Sequence, residues 1–300
     1  MSLWILLSLA AAGFQTLRFM QQKALSRVTL SPVGATFARF AYSAPILVLG
    51  LGLWFAWSGA ERPAFTGAFW AYAIAGGTTQ VLATICVVAL FRQRNFAVGI
   101  AFMKTEVIQT VLVGLVLLGD RVSAAALAAI ALGLVAVLML SRAPGASGAW
   151  WRHLRGRAPA LGLASGLLFA VSSVTYRGAT LEFGETAPLL RAGLTLGAVA
   201  TLQALGMAAW LIWRDRAQLV AVWRARAVAV WIGLASLAGS LCWFLAFTLQ
   251  NAAYVKAVGQ VELGLSLLAS VLVFRERVSA RELAGIALLG LSILALILTI

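Results

Sequence analysis

The sequence predicts an all-α integral membrane protein: ten transmembrane helices arranged as two inverted five-helix repeats. Three observations carry the prediction. First, 62% of the 300 residues are hydrophobic and 11% charged, with mean hydropathy +0.97; a soluble domain averages about 45–50% apolar and about 25% charged. Second, residues 95–140 align without a gap on 251–296 at a constant offset of 156, with Asn95 on Asn251, Glu106 on Glu262, Leu112 on Leu268 and Arg121-Val122-Ser123-Ala124 on Arg277-Val278-Ser279-Ala280. Third, the basic residues alternate between heavy and light connections along the chain.

A membrane-crossing helix needs roughly 20 apolar residues. In the first half, the candidates are 3–22, 33–57, 67–91, 96–118 and 122–141. The opening MSLWILLSLAAAGF lacks the basic region of a cleavable signal peptide, so it is expected to stay as the first span. Residues 142–158, rich in Gly, Pro, Ser and Arg, read as a linker between repeat units 1–141 and 159–300. The second half offers 159–176, 186–213, 227–248, 252–274 and 279–300. With small gaps, Arg39 falls on Arg191, Cys86 on Cys242 and Phe91 on Phe247. Five spans per copy is an odd number, so the second copy must enter the membrane upside down.

The charges test this independently. Connections after odd-numbered spans hold 15 Lys/Arg, including Lys23/Arg27, Arg92/Arg94, the Arg142–Arg157 group, the Arg214–Arg226 group and Arg275/Arg277/Arg281. Those after even-numbered spans hold three: Arg62, Arg121 and Arg177. The positive-inside rule then places odd connections in the cytoplasm and both termini outside, as for a multi-pass protein of a bacterial inner membrane. Net charge is +14. Nucleic acid is nonetheless excluded as a partner, because the basic residues sit in short turns and form no continuous stripe. Cys86 and Cys242 lie inside apolar spans, and His153 is the only histidine, so neither metal nor cofactor is predicted.

The stretches LLGDRVSAAALAAIALGLVAVLML and VFRERVSARELAGIALLGLSILALIL each pair an acidic-Arg turn with a small-residue-rich helix. In this the chain resembles the EamA-type branch of the drug/metabolite transporter (DMT) superfamily, over essentially its whole length. The resemblance implies ten helices in two inverted repeats around a central cavity, with alternating access. It implies that spans 3, 4, 8 and 9 line that cavity with the first, and that spans 5 and 10 are peripheral. Many such proteins have a basic, cytoplasmic N-terminus, whereas the charges here predict the opposite.

Seven ionisable residues fall within the predicted spans: Arg18, Arg39, Lys104, Glu106, Arg191, Lys256 and Glu262. A charge at mid-membrane costs about 2.5–3.5 kcal/mol on insertion scales and so faces a cavity or a partner. Glu106 lies roughly 16 Å into its span at about 1.5 Å per residue, near the centre of a core about 30 Å thick. Glu262 is at the equivalent depth, and Lys104 slightly shallower. Arg18, Arg39, Arg191 and Lys256 lie nearer span ends, where long side chains can snorkel to the interface. The matched Arg39 and Arg191 are expected to share a structural role at helix ends or loop carboxylates.

Residues two apart on a helix point about 200° apart. Glu106 therefore shares a face with Met103, Gln109 and Thr110, the expected wet face. Lys104 faces a drier side and needs an acceptor from another helix, with Glu262 across the pseudo-twofold axis as the candidate. The alternative is that Lys104, Glu106 and Glu262 only lock helices together. A desolvated carboxylate can bind and release a proton near neutrality, so proton coupling is among the expectations. Gln109, Gln260, Tyr254, Gln15, Gln80 and Tyr176 are polar candidates. Trp243 could stack on a cationic ligand or simply pack against a neighbouring helix. The expected site is thus Glu106, Glu262, Lys104, Gln109, Gln260, Trp243, Tyr254 and Arg18.

Trp54, Trp57, Trp150, Trp151, Trp210, Trp213 and Trp223 sit at span ends as interface anchors. Gly76-Gly77 and Gly239 allow close helix approach. Ala128, Gly133, Gly285 and Gly290 in spans 5 and 10 read as packing faces and could also support a homodimer.

The expected function is a secondary transporter for a small polar or amphipathic metabolite, with an amino acid or related organic ion among the candidates. No Walker A motif is present to power it with ATP. The alternative is a lipid or lipid-headgroup flippase, since five cations against two anions within the spans suit an anionic headgroup. No convergent nucleophile and base appear, so an enzyme is not expected.

Overall fold

The computed structural model describes residues 2–28, 30–90, 103–140, 157–265 and 280–299. Among them the chain is helical throughout its regular structure, with no strand. The helices are α1 (Leu3–Val28), α2 (Pro32–Ser58), α3 (Gly67–Leu90), α4 (Glu106–Leu118), α5 (Ala124–Leu140), α6 (Arg157–Leu181), α7 (Pro188–Arg214), α8 (Arg216–Arg224), α9 (Arg226–Leu249), α10 (Ala252–Gly259) and α11 (Ala280–Leu298). Six of these, α1–α3, α6, α7 and α9, are long and apolar enough to cross a membrane; α4, α5 and α11 are shorter apolar helices. This is a multi-pass membrane architecture by length and composition. Of the repeat, Asn95, Leu268 and Arg277–Ser279 lie outside the described residues, as do most of the linker and the cations Arg92, Arg94 and Arg275.

Local chemistry explains the boundaries. Ser31 caps α2, its Oγ accepting from the Gly34 N–H at 3.0 Å, and Pro32 follows in the first turn. Pro188 opens α7 in the same way. Gly59 and Gly119 close α2 and α4 at φ 62° and 68°, a left-handed conformation that glycine adopts without a Cβ penalty. The expected anchors Trp57, Trp213 and Trp223 are 89%, 78% and 64% exposed at helix ends, as headgroup-level side chains should be.

The core forms by close helix crossing. α1 lies along α9, where a Cβ added at Gly239 would stand 3.0 Å from Phe14 Cβ. α3 lies along α6, where a Cβ at Gly76 would overlap Tyr176, only 2.7 Å from its ring. α5 packs on α11, with Ser292 Oγ donating to the Ala129 carbonyl at 2.7 Å beside Gly133. If α1–α5 are paired in order with α6, α7, α9, α10 and α11, the principal contacts between the two sets exchange. The α1–α9 contact answers to α3–α6, α1–α10 to α4–α6, and α2–α9 to α3–α7; α2–α7, α4–α10 and α5–α11 answer to themselves.

Three features depart from the sequence expectation. The predicted spans 96–118 and 252–274 are not continuous helices where described: turns interrupt them at Lys104-Thr105 and at Gln260. At the second break, the N–H groups of Gln260 and Leu263 bond three residues back rather than four. The backbone at Thr105 and Gln260 stays right-handed, so the breaks leave no Gly or Pro signature at those two positions. The connection at 214–226, read as a loop, contains the two-turn helix α8, whose Gln218 Oε1 accepts from the Ser31 N–H at 2.9 Å. Arg177, read as a loop cation, lies within α6. It donates to Asp120 Oδ2 at 3.1 Å and to the Phe247 and Gln250 carbonyls at 2.9 and 2.8 Å, closing the C-terminal end of α9.

Candidate functional site

Each interruption leaves a charge beside a helix end. Glu106 occupies the first turn of α4, where the positive end of the helix dipole favours a carboxylate. Lys256 occupies the last turn of α10, where the opposite end favours a cation. Glu262 stands two residues beyond the Gln260 turn. Because α4 packs on α10, the four groups meet. Lys104 Nζ donates to Glu262 Oε2 at 2.7 Å, and Lys256 Nζ lies 3.7 Å from Glu106 Oε2. In each pair the cation comes from one half of the chain and the carboxylate from the other. All four side chains are at most 7% exposed.

A second layer holds these pairs in place. Gln15 of α1 donates to Glu262 Oε2 at 2.8 Å and accepts from Trp243 Nε1 at 3.1 Å. Trp243 lies flat against Phe247, with ring centroids 5.8 Å apart. The Lys256 ammonium sits 4.9 Å from the Trp243 ring centroid and 5.4 Å from that of Phe169. The cation on Trp243 is therefore the protein's own. Gly259 makes this possible, since a side chain there would occupy the volume of the Trp243 ring.

Two further cations complete the cluster. Arg39 donates from Nε to Ser236 Oγ at 2.6 Å, from Nη2 to Ser240 Oγ at 3.0 Å, and at a longer 3.4 Å from Nη1 to Thr84 Oγ1. Arg18 lies within electrostatic range of both Arg39 and Glu262, and its buried Nη1 has no hydrogen-bond acceptor among the described residues. A polar triad, Gln80, Tyr176 and Gln203, ties α3, α6 and α7 through hydrogen bonds of 2.7–3.2 Å, with Tyr176 within electrostatic range of Arg39.

The expected site residues thus divide. Glu106, Glu262, Lys104, Trp243 and Arg18 come together. The Lys104–Glu262 pair forms as anticipated across the two halves. Gln109 keeps a buried, unpartnered Oε1 on α4. Gln260 turns its unpartnered Oε1 towards Gly133 of α5 rather than into the cluster. Tyr254 is half-buried and packs against the apolar core. The wet face expected for Glu106 is buried at Met103, Glu106 and Thr110 alike.

Two expectations fail outright. Lys256, Arg18 and Arg39 do not snorkel: they are 6%, 3% and 4% exposed inside the bundle. Nor do Arg39 and Arg191 share a role. Arg191 donates to the Thr180 carbonyl at 2.8 Å and lies within electrostatic range of Glu185. Arg39 donates its hydrogen bonds to hydroxyls. Spacing was the available signal for the hydroxyls missed: Ser236 and Ser240 share a stripe of α9 with the expected Trp243.

No protein-family model and no curated protein matches the chain. A crystal structure of another protein is similar over 98% of this chain and 99% of its own, at TM-score 0.68 and 17% sequence identity. At that identity the likeness establishes a common fold along the whole length and carries no activity with it.

Proposed function

We propose that the chain is a secondary transporter of the drug/metabolite kind. In this reading two inverted five-helix repeats, 1–141 and 159–300, move a small polar or amphipathic metabolite by alternating access. Both termini face outside a bacterial inner membrane. The observation that carries the reading is the crossed pair of buried salt bridges, Lys104–Glu262 and Lys256–Glu106, each at an interrupted helix and each joining the two halves. Interrupted helices with charges at mid-membrane are how such carriers build a site between two rocking halves. The exchanged helix contacts support the inverted repeat. Breaking one pair while making another gives a two-state element that a substrate or proton can bias. The cationic surplus also favours a second reading, transfer of an anionic lipid headgroup.

The test is flux in proteoliposomes made with purified protein. Glu106→Gln and Glu262→Gln should each abolish substrate flux in protein that remains folded. Flux per folded molecule that survives the double replacement would rule this site out. Orientation is tested separately: a reporter active only in the cytoplasm should be silent when fused after Ile300.

A further inference from the structure

The two salt bridges leave two buried cations over. Arg18 and Arg39 are 3% and 4% exposed. Glu106 and Glu262 are the carboxylates nearest them in the cluster, and both are engaged by lysines. Among the described residues, no carboxylate bonds to either arginine. Arg39 is met by three neutral hydroxyls, and Arg18 Nη1 by nothing. Their rings of contact are sequence neighbours: Phe19 at 4.3 Å from the Arg18 guanidinium carbon and Phe40 at 4.9 Å from that of Arg39. A desolvated cation–π contact recovers only part of the cost of burying an ion. The aromatic contacts therefore do not offset the burial of two guanidinium groups that also repel each other.

We propose that Arg18 and Arg39 form an anion subsite between α1, α2 and α9, and that the molecule carried bears a carboxylate or phosphate-type oxyanion. Carriage of that molecule rests on the transporter reading; its binding does not. Six buried charges, four positive and two negative, leave the cluster two positive charges in excess, which one dianion or two monoanionic groups would balance. The guanidinium fork is built to hold two oxygens at once. Ser236 and Ser240 accept from Arg39 and each retain an O–H to donate to the same anion. Arg18 also lies within electrostatic range of Glu262.

The experiment reads the apparent melting temperature of the purified full-length protein in neutral detergent. The probes are succinate, glycerol 3-phosphate, choline, and micelles doped with phosphatidylglycerol or phosphatidylcholine. At least one oxyanion should raise it by several degrees, with no response to choline or phosphatidylcholine. The response should vanish in Arg18→Met and in Arg39→Met, and Arg18→Lys should retain part of it. Because Arg18 Nη1 has no acceptor among the described residues, Arg18→Met should itself melt at or above the parent while losing the ligand response. A residue that merely ties helices together would do the reverse. Stabilisation by succinate or glycerol 3-phosphate identifies a soluble anion, and stabilisation by phosphatidylglycerol alone a lipid headgroup; both support the subsite. No stabilisation by any of these anions, or a shift that survives both methionine variants, overturns it. Failure of the transporter reading looks different. The stabilising anion would bind in an Arg18-dependent way yet show no uptake into proteoliposomes. Conversely, choline uptake unchanged in both variants would sink the anion subsite and leave transport standing.

Discussion

Lys104 and Arg18 are both buried cations within electrostatic range of Glu262, and only one of them is ion-paired with it. Lys104 sits 2.7 Å from the carboxylate, which Gln15 also orients. Arg18 lies farther off with a free Nη1. The difference separates two uses of a charge inside a membrane bundle. A paired charge holds two helices in register, and removing one partner strands the other in a low-dielectric interior. An unpaired charge costs stability until something from outside completes it.

Stability measurements can break that comparison. The largest effect should come from Lys104→Met, which leaves Glu262 with one neutral donor. Losing one partner of a buried pair costs about 3–5 kcal/mol, so the melting temperature should fall sharply. Adding Glu262→Leu should recover much of the loss, because a well-packed apolar pair replaces a charged one. If the double variant is no better than the single, the pair is not the unit supposed here. Lys256→Met should cost less than Lys104→Met. Its partner is 3.7 Å away rather than 2.7 Å, and aromatic rings supply part of its surroundings. An equal or larger loss would show that the rings, not the carboxylate, carry Lys256.

A smaller effect is expected at the half-buried Asp120–Arg177 pair. Asp120→Asn should lower stability by about 1 kcal/mol and leave Arg177 on the α9 carbonyls. The smallest belongs to Arg191→Ala, where one bond to a helix-end carbonyl is lost and water can replace it, for a change under about 1 kcal/mol. A loss at Arg191 as large as at Lys104 would mean that more than this one bond holds Arg191.

Much of the fold was legible because the membrane simplifies the problem. Long apolar runs between Ser31-Pro32, Gly59, Gly119 and Ala187-Pro188 become helices wherever lipid supplies no backbone partners. The interruptions before Glu106 and Glu262 were hidden because a right-handed turn of ordinary residues carries no Gly or Pro mark at those positions. Treating both segments as unbroken helices also concealed that Glu106 and Lys256 each stand at a helix end.

By itself, the sequence determined the all-helical membrane class, the two matched glutamates and the need of Lys104 for an acceptor from another helix. These follow from hydropathy, from internal repetition and from the cost of a charge at a given depth. Only the tertiary structure decided which cations are enclosed. Distance along a helix measures depth in the bilayer, but enclosure depends on the direction a side chain takes around the helix and on what packs there. Lys256, Arg18 and Arg39 stand near enough to span ends to reach an interface, yet α1, α2, α9 and α10 close over them. The matched Arg191, at the same step of its own repeat, points instead to a helix end and the polar margin.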